Sequence, residues 1–568
     1  MQKLKVTPPS LNRRVKISPL LLTVSSLILL SACDSEEVVS SVLIDILPLE
    51  QTLGGESHQL TGPGQLTVIP FDVNSNVLYT SVNFDLNAHV GEIPPLPLGT
   101  WKFYVIGEQN GQRFFGLSTP FEVSDYQQVL APTIVGRSQC TGLLPPLQGP
   151  NGIEGSSDLA RAYDGSEAIA LEDGRVLIIG GGPIAKNTGR LTEVTTDIQF
   201  YDPKYGIVRI DSARLSVPRA FHRATLLDDG RILVAGGVSG VTPTGQYVVD
   251  NTAELISIGP DGSLSVSPAV TIDKPRYMHS QVKLNDGTVL LAGGLDSTDT
   301  ILSSSTRFFP DTSLFVAQGN LNVPRLEAST SPLKRSSEKA LISGGISDSG
   351  PLASTELFTT DPNAGCVPTP NAVTGCFSIS TQLNRPRWGH NSALLDDGSV
   401  LLLGGFQSGT QDGPRDEINT VEQFKFEISY DSTGNPISAS INIKDAVGRL
   451  ASSRGRATLA RLSKDQENEQ LVLIGGEVTS SKAAVSLINA KPLALGVSQQ
   501  LELTPICPLS EDRLRPMAVT SPEGTVMIFG GVKRGLDPMT NLPVYLASRR
   551  IELIYPSISN ITQAIPSL

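Results

Sequence analysis

An apolar strand ending in Gly-Gly returns seven times between Val176 and Gly531. It reads GRVLIIGG, GRILVAGG, GTVLLAGG, KALISGG, GSVLLLGG, EQLVLIGG and GTVMIFGG, and the first glycines are Gly180, Gly236, Gly293, Gly344, Gly404, Gly475 and Gly530. Successive copies lie 51 to 71 residues apart. Self-similarity at this period, with several short strands per unit, is the pattern of β-propeller blades. The strand before each Gly-Gly has no polar face and is expected to be buried on both sides. The glycines suit a place of close backbone packing or positive φ. With 53 glycines and 40 prolines among 568 residues, and no long helical period, the chain reads as many short strands joined by turns.

Each repeat has further markers. Pro-Arg precedes four of the strands, at Pro218-Arg219, Pro275-Arg276, Pro324-Arg325 and Pro386-Arg387. In three of them a histidine follows the Arg by three residues: His222, His279 and His390. An alternating strand comes next, then a tight turn such as Asp228-Asp229-Gly230 or Asp396-Asp397-Gly398, where Asx-Gly supplies the positive φ a hairpin needs. After Gly-Gly and a polar loop comes a short strand carrying Glu254, Glu356, Glu422 or Glu552. From near Asp158 to near Pro556 this set resembles the kelch repeat, which runs Pro-Arg-x-x-His, strand, turn, strand, Gly-Gly, loop, Glu-x-Tyr and a late Trp. The first half of the unit is well kept. In the second half Gln199, Arg307 and Ser486 stand where the Glu would be, and the late Trp is missing. The resemblance implies an all-β fold with a seven-bladed kelch-like β-propeller over residues 158–568.

The first 32 residues carry Lys3, Lys5, Arg13, Arg14 and Lys16 and no acid, followed by an apolar run from Leu20 to Leu30. A basic start, a short apolar core and small residues before a cut describe a signal peptide rather than a spanning helix. Leu30-Ser31-Ala32-Cys33 resembles the lipobox of bacterial lipoproteins, which implies acyl chains such as palmitate on Cys33, a membrane anchor through lipid, and residues 33–40 as a tether. Asp34 leaves open whether the anchor sits in the outer membrane or on the periplasmic face of the inner membrane.

Without the leader, 39 basic residues face 56 acids, a net charge of −17. An acidic chain with no basic cluster is a poor nucleic-acid binder. Of the four remaining cysteines, Cys366 and Cys376 bracket a short Pro/Asn/Thr/Gly-rich loop and read as a local disulfide in an oxidising compartment. Cys140 and Cys507 are then left as a long-range pair. Zinc is a weak rival, because the spacing is wrong for a Cys-x-x-Cys knuckle.

Residues 41–135 lie outside the repeat and show alternating strands, including QLTVIPFD and TWKFYVIGE, with a hairpin signal at Asn110-Gly111. Trp101, Phe103 and Val105 fall on one side of their strand, as a buried face requires. Six or seven short strands over this length suggest a small immunoglobulin-like β-sandwich. Residues 136–157, rich in Gly and Pro, read as a linker.

The chemistry is sparse. Three of the five histidines occupy equivalent repeat positions, which points to packing and hydrogen bonding rather than to catalysis. No Gly-x-Ser-x-Gly elbow appears, and the Gly-Gly pairs end strands without opening a helix, so they are not phosphate loops. No catalytic residue, metal or cofactor is assigned. Arg219, Arg276, Arg325 and Arg387 are candidates for a guanidinium ring that binds an anionic ligand at the channel entrance, against the alternative that each bonds backbone or a neighbouring Glu. The sequence thus reads as a monomeric, lipid-anchored envelope protein whose propeller binds a protein or glycan. The alternatives are a propeller enzyme acting on carbohydrate or alcohol, resembling copper radical oxidases or a sugar epimerase, and a purely structural envelope protein. The polar loops after Gly405 and Gly531 are the longest and the best places for recognition. Mass spectrometry of the mature N-terminus is expected to find diacyl or triacyl Cys33, and Cys33→Ala is expected to release the protein from the membrane; an unmodified N-terminus elsewhere contradicts the lipobox reading.

Overall fold

The structure is a computed structural model. It describes residues 40–143, apart from 49–50, 54–55, 59–64, 73–80, 86–89, 110–111, 119–120, 125–128 and 138–140, and residues 158–555, apart from 204–206, 335–338, 361–374, 411–414, 431–435, 465–468, 478–484, 491–500, 507 and 523. The described residues are all-β.

From Asp158 onward, the described residues hold seven main antiparallel sheets in succession, each built on four strands in sequence order except the last, with two-stranded hairpins beside the second, fourth and last. Their innermost strands are Glu167–Ala170, Arg223–Leu226, Ser280–Lys283, Ser329–Pro332, Asn391–Leu394, Thr458–Lys464 and Met517–Thr520. Each neighbours the next, and the last neighbours the first, so the sheets stand in a closed ring, the arrangement of a kelch-like propeller. Within a sheet the turn expected at Asp228-Asp229-Gly230 is a hairpin turn closed by a left-handed glycine, with Gly230 N donating to Leu227 O at 3.1 Å. Gly230 has φ 81°, Leu227 N donates to Arg231 O at 2.8 Å, and the Asp229 carboxylate accepts from Arg231 N at 3.0 Å.

The second strand of every sheet is wholly buried, as its lack of a polar face requires; examples are Ile232–Ala235 and Val400–Leu403. Alternation explains how one strand serves two interfaces. Ile232 and Val234 pack with Leu177 and Ile179 of the first sheet, while Leu233 and Ala235 pack with Val289 and Leu291 of the third. The ring closes where Val176 and Ile178 meet Met527 and Phe529.

The Gly-Gly pairs sit where neighbouring sheets come closest. The N–H of the second glycine donates to the carbonyl of the next repeat's arginine: Gly181 to Arg219 at 2.7 Å, Gly237 to Arg276 at 2.8 Å, Gly294 to Arg325 at 3.1 Å, Gly345 to Arg387 at 2.8 Å, Gly405 to Arg454 at 2.8 Å and Gly476 to Arg513 at 3.1 Å. The first glycine has left-handed φ between 55° and 66° at all seven copies. At six of them a Cβ would lie 2.2 to 2.6 Å from that same arginine carbonyl. Two restraints therefore act on one residue: backbone conformation and contact distance.

The seventh junction is made differently. No arginine of this kind precedes the first sheet. It keeps a bond that other junctions also have, Leu159 N to Arg549 O at 2.7 Å, as Leu215 N donates to Thr196 O at 3.0 Å and Leu383 N to Ala353 O at 2.7 Å, and adds Arg549 Nε to Leu159 O at 2.6 Å. The last sheet also takes its outer strand from far upstream, since Thr141–Leu143 pairs antiparallel with Ile551–Ile554. Part of the segment expected to be a linker is thus structural, tying the front of the repeat region to its end.

Among the described residues, the N-terminal strands form one large sheet and a separate hairpin, Gln51–Leu53 with Glu56–His58. The order in the sheet is Val82–Asp85, Gln65–Asp72, Gly99–Gln109, Gln112–Ser118, Val129–Arg137, Ser40–Pro48 and Val90–Leu96, with Phe121–Val123 on the side of Gly99–Gln109. Ser40–Pro48 runs parallel to Val129–Arg137. Trp101, Phe103 and Val105 share a core with Val42, Ile44, Leu66 and Val68. The domain meets the ring through Phe115, whose ring lies 5.6 Å edge-on from that of Tyr555.

Gly236→Val is expected to destabilise the fold by more than about 1 kcal/mol, because a side chain there meets both positive φ and the Arg276 carbonyl. Chemical denaturation checks this; an unchanged midpoint contradicts the junction geometry.

Candidate functional site

The four arginines singled out in the sequence do not face a ligand. Arg219, Arg276 and Arg387 are 0 % exposed and Arg325 is 1 % exposed. Each turns into its own sheet and donates to the carbonyl of that sheet's first glycine: Arg219 to Gly236 O at 2.9 Å, Arg276 to Gly293 O at 3.1 Å, Arg325 to Gly344 O at 2.7 Å and Arg387 to Gly404 O at 3.0 Å. Carboxylates balance the buried charge. Arg219 pairs with Glu254 at 3.0 Å, Arg325 with Glu356 at 2.5 Å, and Arg387 with Glu422. The glutamates are themselves held by backbone: Glu254 accepts from Ser216 N at 2.6 Å and Glu356 from Asn322 N at 2.7 Å. This is the alternative that the sequence left beside the guanidinium ring.

Where the Glu is replaced, the structure compensates or leaves a cost. In the third repeat the register corrects the expectation for Arg307: Thr306 pairs with Leu291 where the other repeats place Glu, Arg307 lies one residue on and pairs with Asp286, and Arg276 is paired with Asp273 at 3.0 Å. Arg454 and Arg513 play the same part in the last two repeats, reaching Gly475 O at 3.4 Å and Gly530 O at 3.1 Å. Sequence reasoning missed both because Ser453 and Asp512 stand where Pro marked the others. Ser486 offers Arg454 no carboxylate, and burial pushes that guanidinium down to about 10.

The repeat histidines are packing groups. The His222 ring reaches within 3.0 Å of where a Gly180 Cβ would stand, and His279 and His390 do the same at 3.2 Å under Gly236 and 3.0 Å under Gly344. Burial, aided by the nearby Arg219 and Arg223, pushes His222 down to about 3. Burial likewise holds His279 and His390 well below the usual histidine range, so all three are neutral near pH 7.

What does face the channel is the residue two places after each repeat arginine. These residues are Phe221, Met278, Glu327, Gly389, Arg456 and Arg515, with φ of 52°, 50°, 50°, 58°, 52° and 48°; Gly165, with φ 72°, holds the corresponding place in the first repeat. Left-handed φ in a non-glycine residue costs about 1–2 kcal/mol. Hydrogen bonds around the channel hold it: Phe221 N donates to Gly165 O at 2.8 Å, Met278 N to Phe221 O at 3.1 Å, Gly389 N to Glu327 O at 3.1 Å, and Arg456 N to Gly389 O at 2.7 Å. All seven residues line one cavity of about 340 Å³, on the same face of the ring as the Gly-Gly loops.

The cavity is charged and internally paired. Arg456 binds both Glu327 oxygens, at 2.6 and 2.9 Å, and Glu477 at 3.0 Å. Arg515 holds Asp164 at 2.7 Å, and Arg223 holds Glu167 at 2.8 Å. Just behind, Arg415 lies 3.3 Å from Glu477 and 5.2 Å from the Phe406 ring centre, while Arg456 lies 5.2 Å from that of Trp388. Burial by itself would raise Glu327, but Arg456, Arg515 and Arg415 together hold it below the usual carboxylate range. Glu167 goes the other way: burial pushes it up, and Arg223 only partly offsets this. Phe221, Met278, Pro516 and Met517 supply apolar wall. The arrangement presents donors, acceptors and apolar surface together, which is the chemistry of a binding pocket.

Among the described residues, no group of three or more His, Cys, Asp and Glu side chains is placed to hold a metal ion. Cys376 is buried at the start of the strand Cys376–Gln382. Cys33, Cys140, Cys366 and Cys507 lie outside the described residues, as does the tip of the loop after Gly405.

No family model matches the chain, and no curated protein matches it. Among solved structures it is similar to one described as a novel fungal alcohol oxidase of the AA5 family in complex with copper, at 14 % identity and a TM-score of 0.46, over 69 % of this chain and 75 % of that one. It is also similar to the structure of YjhT, at 13 % identity and a TM-score of 0.39, over 61 % of this chain and 98 % of that one. Likeness at this level says nothing of activity.

Arg387→Met, which leaves Glu422 buried without its cation, is expected to cost about 3–5 kcal/mol in denaturant unfolding; a cost below about 1 kcal/mol contradicts the buried pairing. The histidines predict an acid limit. Their folded pKa values are depressed, so their contribution is present above the ordinary value of 6.5 and is lost as pH falls toward about 3. The melting temperature is expected to fall over that window, and less steeply in His222→Asn than in the parent.

Proposed function

We propose that the chain is a lipid-anchored envelope protein whose seven-bladed kelch-like propeller is a binding scaffold, with an immunoglobulin-like domain between anchor and propeller. One observation carries the binding reading: around a common cavity, the position two residues after the six repeat arginines is Phe, Met, Glu, Gly, Arg and Arg, with Gly165 in the corresponding place of the first repeat, while the glycines and arginines beside it repeat. Side-chain variety at one geometric position on a rigid frame is what recognition requires. Holding five non-glycine residues at left-handed φ is a strain that fold alone does not call for, since Gly165 and Gly389 fill the same position without it. The partner class is a protein or glycan, met at the cavity and the surrounding loops. The anchor rests on the lipobox-like sequence at Cys33. The Cys366–Cys376 disulfide, which would brace a loop of the fourth repeat, belongs to the same reading.

The test is cross-linking on intact cells, followed by binding measurements with the partner recovered. Phe221→Gly and Met278→Gly remove cavity side chains and relieve backbone strain, so they are expected to weaken binding at least tenfold without lowering the melting temperature by more than a few degrees. Binding that survives both, and is lost when residues 41–135 are removed, transfers recognition to the N-terminal domain. Turnover of a carbohydrate or alcohol by the purified chain, abolished by Glu167→Gln, replaces the scaffold reading with an enzymatic one.

A further inference from the structure

The strand registers fix which end of the molecule faces which way. In the last sheet, Phe529, next to Gly530, pairs with Ile551, and Val526, at the far end of the same strand, pairs with Ile554. Ile554 therefore lies at the face opposite the Gly-Gly loops. Thr141 pairs with Ile554, so the chain enters the ring at that opposite face and runs toward the loop face. The N-terminal domain docks there too, because Phe115 packs on Tyr555, one residue beyond Ile554.

Within that domain the direction continues. Phe115 pairs with Gly136, which places the end of Val129–Arg137 next to the ring. Ser40–Pro48 is parallel to this strand, with Pro48 opposite Val135 and Val42 opposite Val129. The start of Ser40–Pro48 thus lies roughly 20 Å along the strand, six residues, from the level at which Phe115 meets the ring. Leu98, 55 % exposed, lies at this far end, two residues beyond the Ser40–Leu96 pair. Only six residues separate Cys33 from Ser40, a reach of about 25 Å when fully extended.

The other pole carries the cavity mouth and a hairpin of the last repeat, Val532–Leu536 and Pro543–Ala547. Its tip exposes Leu536 at 63 %, Met539 at 96 % and Leu542 at 63 %, beside exposed Arg534 and exposed Lys533, the latter 3.7 Å from Glu511. Asp537 is spent on the turn, accepting from Met539 N and Thr540 N at 2.9 Å each. An apolar finger with a basic residue beside it would suit a lipid surface, yet a tether of this length from an acylated Cys33 would hold the opposite pole to the membrane.

We infer that the protein presents its Gly-Gly loop face away from the bilayer that holds Cys33, and that the finger of Leu536, Met539 and Leu542 docks into an acid-rimmed apolar cleft of a protein met across the compartment. This rests on the anchor reading for Cys33, and the test is built so that the two fail separately. A fluorescent amino acid is placed at Leu98 or at Met539 in the acylated protein on vesicles carrying a surface acceptor dye. Energy transfer is expected to be strong from Leu98 and several-fold weaker or lost from Met539; equal transfer overturns the inference. If Cys33 proves unacylated, the mature chain held to chelator-lipid vesicles through an N-terminal oligohistidine gives the same comparison, with the same two outcomes. An acyl-free chain should not float with anionic phosphatidylglycerol vesicles; flotation that Met539→Asp abolishes makes the occupant lipid and overturns the protein assignment. A photo-cross-linker at Met539 on intact cells should give a discrete protein adduct that Leu536→Asp removes while a cross-linker at Leu98 gives none; the same adduct from both sites, or none from Met539, counts against it.

Discussion

One carbonyl oxygen organises the ring. The backbone C=O of each repeat arginine accepts a hydrogen bond from the second glycine of the preceding repeat, while its guanidinium binds the first-glycine carbonyl of its own sheet. A single residue thus ties two sheets together and braces the end of the strand that both interfaces share. Because a Cβ on the first glycine would strike that carbonyl, the glycine cannot vary while the arginine stays. The other markers are less constrained. Proline is lost before Arg454 and Arg513, and histidine is replaced by Ala328, Ala457 and Pro516, without loss of the junction. A buried guanidinium does need its charge met, and Glu254, Glu356, Glu422 and the substitute Asp273 meet it.

The same junction creates the candidate site. Two residues past the pinned carbonyl the chain must turn into the innermost strand, and it does so through left-handed φ with its side chain at the channel. Position is therefore dictated by the scaffold, and identity is left free. In the later repeats that freedom is used for charge: Glu327, Arg456 and Arg515, joined by Asp164, form pairs that neutralise one another. On the other side, Phe221 and Met278 are apolar. A pocket with one polar and one apolar half orients what it binds, whatever the ligand.

The legible parts of the sequence were those where local chemistry and tertiary role coincide. Strands without a polar face are buried because sheets pack on both sides of them, and Asx-Gly turns are hairpins because only they fit the loop. The illegible parts depend on distant chain. Thr141–Leu143 is three residues without period or marker, and only Ile551–Ile554, far along the chain, makes it a strand. The arginines could be recognised as a set, but whether they point into the channel or into the sheet turns on where the first-glycine carbonyl lies. The cavity residues were hidden inside the spacing of Pro-Arg-x-x-His, where variation looks like noise until the backbone shows that the second variable position faces the axis.

The junction between the last and first sheets lacks the arginine latch, and it is the one that the N-terminal domain covers. Tyr201 of the first sheet and Phe529 of the last meet edge-on with ring centres 5.5 Å apart, and Phe115, Tyr104 and Ile106 of the N-terminal domain pack into the same cluster beside Tyr555. Thr141–Leu143 adds the missing outer strand there, only three residues after the end of Val129–Arg137. The domain ahead of the ring is therefore more than a spacer. Apolar packing and a strand from the front of the chain replace, at the closing seam, the hydrogen bond that the repeats supply everywhere else, which couples the stability of the ring to the domain that carries it.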